Sequence, residues 1–127
     1  MSKFFNKMVV GIDIAADFSV VSILSPNGDV YKKPFRIEHT LEGFTKLKNI
    51  IKKGEKEFND KCGIFMESTS IYHKSLFNYL SKEFDTYVLN PLVICGNRQK
   101  NIRKVKNDKN DALNIAYSCK FQDLKVS

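Results

Sequence analysis

The stretch Val9-Val10-Gly11-Ile12-Asp13-Ile14-Ala15 sets one carboxylate inside a run of apolar, largely β-branched side chains. Such a run reads as a buried strand, here over residues 8–15. Asp13 falls mid-strand or at the strand's carboxyl end, with Val10, Ile12 and Ile14 burying at least one face. A carboxylate beside a hydrophobic strand is costly unless something cationic neutralises it. Working outward, residues 18–24 form a second strand, also rich in β-branched residues. The turn Ser25-Pro26-Asn27-Gly28-Asp29 introduces a third strand over residues 29–37. These connections are short and parallel neighbours need long crossovers, so the three strands are expected to form an antiparallel meander.

Beyond the meander the hydrophobic period changes. Thr40 caps a helix running to about Lys56, with Leu41, Phe44, Leu47, Ile50 and Ile51 at helical spacing. Lys46, Lys48, Lys52 and Lys53 supply its wet face. Residues 62–66 are a short, wholly apolar run of the kind a central strand shows. Ser70 or Thr69 caps a second helix, whose buried stripe is Tyr72, Leu76, Phe77, Leu80 and Phe84. Residues 86–89 make a fifth strand, which Asn90-Pro91 ends before a short helix opens at Leu92. A last helix starts near Asn107 or Asp108, with Leu113, Ala116 and Tyr117 inward. The order of strands and helices predicts an α/β layer fold built on a mixed sheet.

The 127 residues suffice for one domain and little more. A hydrophobic content of 43% is ordinary for a globular fold and argues against intrinsic disorder. The formal net charge of +7 favours a polyanionic partner, nucleic acid before membrane. The plainer reading of that charge is a solvated, lysine-rich surface. Cys62, Cys95 and Cys119 are odd in number and form no C-x-x-C pair. They therefore argue against a disulfide framework and suit a reducing cytoplasm. The apolar stretch after the N-terminus is broken by Asp13 and Asp17, so it is neither a signal peptide nor a membrane span.

Three further acids join Asp13. Glu67 follows Ile64-Phe65-Met66, at the end of the predicted central strand. Asp108 and Asp111, in Lys106-Asn107-Asp108-Lys109-Asn110-Asp111-Ala112, are three apart and share one face of a helix. Ligands in open α/β sheets bind beyond the carboxyl ends of strands. Carboxylates gathered there repel unless a counter-ion joins them, and an all-oxygen set suits Mg²⁺ or Mn²⁺. Two such ions, roughly 3.5–4 Å apart, serve phosphoryl transfer. Taken singly, each acid has a structural role to hand. Asp13 fits a turn before a hairpin, Glu67 the first turn of the next helix, and Asp108 and Asp111 a helix N-terminus. Arg98, Lys100, Arg103, Lys104, Lys106 and Lys109 crowd the segment before the Asp pair. They are placed to neutralise phosphates of a bound strand, against the commoner reading of a solvated charge run. His73 follows Glu67 closely, as a proton donor, a phosphate contact or a capping residue; His39 has no evident partner.

In three segments the chain resembles the N-terminal domain of the Asp-Glu-Asp-Asp insertion-sequence transposases, the group related to the Piv invertases. These are Val10-Gly11-Ile12-Asp13-Ile14-Ala15, Met66-Glu67-Ser68-Thr69-Ser70-Ile71-Tyr72, and the run Arg103-Lys104-Val105-Lys106-Asn107-Asp108-Lys109-Asn110-Asp111-Ala112. The resemblance implies an RNase H-like fold of the RuvC type, with the first three strands antiparallel, the later ones parallel, and helices on both faces. It implies that Asp13, Glu67, Asp108 and Asp111 form a metal-binding catalytic tetrad for Mg²⁺ or Mn²⁺. It also implies DNA as substrate, a structured guide RNA in some members, and a place beside the cytoplasmic nucleoid. Asn107 stands where the family usually has Thr, and Asn caps a helix as well. Family members continue into a helical region and a C-terminal domain with a catalytic serine. Residues 1–127 are therefore expected to be the N-terminal RuvC-like domain of a longer transposase, incomplete for full recombination. A homo-oligomer is compatible with the resemblance. Two other classes compete: an ATP-binding phosphotransferase of the sugar-kinase and actin type, and a non-catalytic nucleic-acid-binding module. The first shares the strand-Asp-hairpin opening, but nothing here resembles its Gly-rich adenosine loop.

Overall fold

Apolar, largely β-branched runs and two tight turns build the first half of the sheet. The computed structural model describes residues 4–67, 73–89 and 108–121, with side chains in the last stretch described from Ala112 onward. Strand β1 (Val9–Ile14) turns through a hydrogen bond from Ala15 N to Phe18 O into β2 (Phe18–Leu24). A second turn, closed by Ser25 N donating to Asp29 O, leads to β3 (Val30–Glu38). Gly28 takes φ 96° in that turn, a conformation glycine adopts at little cost. All three strands are antiparallel neighbours, as their short connections require.

Helix α1 (Leu41–Phe58) then carries the chain back across the sheet. Thr40 caps it as expected, its hydroxyl accepting from Gly43 N at 3.0 Å. The helix runs two residues past its predicted end, to Asn59 in the left-handed conformation at φ 53°. Strand β4 (Gly63–Glu67) pairs parallel with β1. After helix α2 (His73–Ser81), strand β5 (Asp85–Leu89) pairs parallel with β4. The sheet order is β3-β2-β1-β4-β5. Helix α3 (Asp108–Phe121) is the last described element. The segments expected to hold the caps at Thr69 and Ser70, the packing of Tyr72, and the short helix at Leu92 lie outside the described residues.

Two cores sandwich the sheet. Val10, Ile12, Ile14, Ile64 and Met66 pack with Phe44, Leu47 and Ile51 of α1 and Leu76 and Leu80 of α2. Val9, Leu24, Phe65 and Leu89 pack on the other face with Ile115, Ala116 and Cys119 of α3. Burial on both faces explains why β1 and β4 read as continuous apolar runs instead of alternating ones. Three stripe assignments are corrected: Leu41 is 71% exposed at the start of α1, Phe84 is buried but follows the end of α2, and Tyr117 does not face the sheet. Tyr117 is 37% exposed and stacks on Phe121, while Ala112, Ile115, Ala116 and Cys119 face the sheet. Where the helix backbone rests on β1 at Gly11 the contact is made by the small Ala112 and Ala116, and Tyr117 turns away from the sheet.

Candidate active site

Asp13 and Glu67 are directly paired in the parallel register of β1 and β4. Paired residues on neighbouring strands project from the same face. That face belongs to α3, because Val9 and Gly11 share the parity of Asp13, and Phe65 shares that of Glu67. Glu67 is only 8% exposed, and Asp13 is half-buried. Adjacent strands lie about 4.8 Å apart. Two ionised carboxylates at that spacing repel by about 3 kcal/mol at an effective dielectric of 20. The charge of Glu67 reaches the apolar layer below. Burial first, and the Glu67 carboxylate second, push the Cys119 thiol well above its ordinary pKa.

Gly11 sets the position of α3. A Cβ there would overlap the Ala112 carbonyl oxygen and lie 2.7 Å from Ala116 N, so the helix backbone rests directly on the strand. The far end of the helix is tied down by Lys120. Its buried ammonium donates to Phe5 O at 2.7 Å, Lys7 O at 2.7 Å and Pro26 O at 2.9 Å. Ala112 therefore lies over mid-β1 while Lys120 lies beside the residues that precede β1. Helix and strand run in opposite directions, and α3 begins at the carboxyl ends of β1 and β4. Asp13 is two residues beyond Gly11, about 6.6 Å along the strand. Asp108 is four residues before Ala112, about 6 Å along the helix. The first turn of α3 and the Asp13–Glu67 pair thus reach the same level.

The backbones of Asp108, Lys109 and Asp111 sit in that first turn; their side chains lie outside the described residues. Arg98, Lys100, Arg103, Lys104 and Lys106 also lie outside them. His73 opens α2 and is half-buried. His39 finds the partner its sequence neighbourhood hid: its Nε2 lies 2.8 Å from Ser19 Oγ. Ser19 pairs with Ile14, whose parity is opposite to that of Asp13, so this contact belongs to the α1 face. Among the described residues no group of three or more His, Cys, Asp or Glu side chains gathers at one point. The described part of the site is a pair of carboxylates, an all-oxygen donor set of the kind a hard divalent cation takes. Sequence reasoning missed Gly11 and Lys120. The first carries no side-chain signal, and the second reads as one more surface lysine near a helix C-terminus.

The sequence model of one family, the IS110-type DEDD transposases, described as transposase, matches residues 10–127. No curated protein matches the chain in sequence. Among solved structures, RuvC of Thermus thermophilus superimposes with a TM-score of 0.55 at 11% identity, covering 94% of this chain and 99% of RuvC. T. thermophilus RuvC in complex with a Holliday junction substrate gives 0.55 at 9% identity, covering 95% and 99%. The fold is RNase H-like, of the RuvC type.

Proposed function

The chain belongs to the IS110-type DEDD transposases, and we propose that residues 1–127 form its RuvC-like catalytic domain, a divalent-metal-dependent DNA phosphoryl-transfer unit. The observation that carries this reading is the pairing of Asp13 with Glu67 at strand ends, level with the first turn of α3. Asp13, Glu67, Asp108 and Asp111 would hold Mg²⁺ or Mn²⁺. A bound divalent ion would supply Lewis-acid chemistry at the attacking and leaving oxygens. The protein's own part is to fix the carboxylate oxygens. Strand pairing sets Asp13 against Glu67, and Gly11 lets the helix that bears the other two acids come down beside them. The apolar layer of Val9, Phe65, Leu89 and Ile115 beneath them lowers the local dielectric, which strengthens every interaction with developing charge. The N–H groups that open α3 suit phosphate oxygens.

Arg98, Lys100, Arg103, Lys104, Lys106 and Lys109 would grip the phosphate backbone of DNA or of a structured guide RNA. The junction-bound RuvC structure supports DNA as the polymer acted on. Full recombination would require the family's C-terminal domain and its catalytic serine. None of the described helices is long and apolar enough to cross a membrane. Action on the DNA of the cytoplasmic nucleoid fits this reading.

Calorimetry with Mn²⁺ tests it. Asp13→Asn and Asp111→Asn should each weaken binding at least tenfold, about 1.4 kcal/mol, with the circular dichroism spectrum unchanged. Wild-type affinity in both removes them from the metal site. Neutralising Arg103 and Lys104 together should lower DNA affinity and reduce the salt slope by about 2. An unchanged slope rejects that role for the segment.

A further inference from the structure

The two carboxylates belong to a row that crosses the whole sheet. Asp13 pairs with Val20 on β2, and Val20 pairs with Arg36 on β3. Arg36 therefore rises from the same face as Asp13 and Glu67, two strands away, on the edge strand. Phe18, two residues before Val20, stands on that face as well. The Arg36 guanidinium carbon lies 3.9 Å from the centre of the Phe18 ring. Arg36 is exposed and Phe18 is half-buried.

We propose that Arg36, held against Phe18, binds a backbone phosphate of the DNA strand on which the Asp13–Glu67 pair acts. The proposal rests on the function inferred above and adds a contact outside the basic segment. Stacking on the ring fixes the guanidinium plane and leaves its edge N–H groups to meet a phosphate. A side chain already ordered loses less freedom on binding. The spacing suits a strand laid across the sheet. Two interstrand steps put Arg36 about 10 Å from Asp13. The phosphates of one DNA strand wind around the axis and lie roughly 6–7 Å apart, so Arg36 meets a phosphate about one to two nucleotides from the one at the carboxylates. The chain's net charge of +7 complements the polyanion. Glu38, cross-strand from Phe18, is the acidic neighbour on this face and opposes the attraction. The competing role for Arg36 is edge protection, since charged side chains on an edge strand block pairing with other sheets.

The test uses the 127-residue chain and a fluorescein-labelled DNA duplex of mixed sequence, followed by anisotropy across a salt series. Arg36→Gln should lower affinity about fivefold at low salt and reduce the salt slope by about 0.9. Arg36→Lys should keep the slope and lose part of the affinity, because an ammonium lacks the planar fork. Glu38→Gln should raise affinity. Lys53→Gln, on exposed α1 across the sheet, should leave the slope as it is. A wild-type slope in Arg36→Gln, or equal losses in Arg36→Gln and Lys53→Gln, overturns the proposal and leaves edge protection. Either result leaves the carboxylate site standing, because Mn²⁺ calorimetry reads that site without DNA. Failure of the wild-type chain to bind the duplex overturns the proposal together with the DNA reading.

Discussion

One methyl group added at Gly11 should lift α3 off the sheet. In Gly11→Ala the new Cβ would overlap the Ala112 carbonyl oxygen and lie 2.7 Å from Ala116 N and 3.0 Å from Ala116 Cβ. Non-bonded heavy atoms settle at about 3.5–4.0 Å, so the helix must retreat by roughly 1 Å at this point. The retreat thins the packing of Ile115, Ala116 and Cys119 against Val9, Leu24, Phe65 and Leu89. Overpacking of this kind costs about 1–3 kcal/mol. Alanine also restricts the unfolded chain, which offsets about 0.4–1 kcal/mol. The expected net loss is about 1–2 kcal/mol, from a total stability of about 5–15 kcal/mol. Urea unfolding followed by circular dichroism reads the shift in midpoint at constant slope. Mn²⁺ calorimetry on the same variant should show weaker binding, because the first turn of α3 moves with the helix. A midpoint at or above wild type would mean that the helix yields freely and that Gly11 does not set its seat.

Lys120→Met removes the ammonium that holds Phe5, Lys7 and Pro26 carbonyls and leaves those acceptors without their donor. The expected loss is about 3 kcal/mol by urea unfolding, and a variant as stable as wild type would refute the tie. Glu83 lies 2.8 Å from Lys48 Nζ and 2.6 Å from Lys52 Nζ, joining α1 to the loop after α2. Hydrogen bonds from Lys48, then Lys52, lower its carboxyl pKa from 4.5 to about 2. A depressed carboxyl gives stability that is present above the unfolded pKa and lost as pH falls through the folded one. Wild type should therefore lose more Tm than Glu83→Gln between pH 4.5 and about 2, and parallel declines would refute the assignment.

Most of the fold was legible because its signals are local. Short turns demand antiparallel neighbours, Thr40 offers a side-chain oxygen to a helix start, and apolar runs of strand length demand two covered faces. Asp13 and Glu67 stood out for the same reason, since each is a carboxylate at the end of an apolar run. What stayed hidden depends on contacts between distant segments. No local signal distinguishes Gly11 from a glycine that merely tolerates its strand, because its role is to make room for Ala112 and Ala116 about a hundred residues on. The spacing of Tyr117 fits the inward face of an amphipathic helix. The contact at Gly11 is instead made by the small Ala112 and Ala116, and the tyrosine turns away from the sheet. Lys120 looks like any lysine near a helix end until the carbonyls of residues 5, 7 and 26 are brought around it. Arg36 is set in the row of Asp13 by the strand register, which composition does not carry.

Diffraction from crystals grown with Mn²⁺ and a DNA duplex, collected where manganese scatters anomalously, tests the carboxylate site most directly. An anomalous peak should lie within about 2.0–2.6 Å of carboxylate oxygens from both Asp13 and Glu67, beside the first turn of α3. A peak that touches neither carboxylate, or DNA bound with no peak at the ends of β1 and β4, would contradict the account.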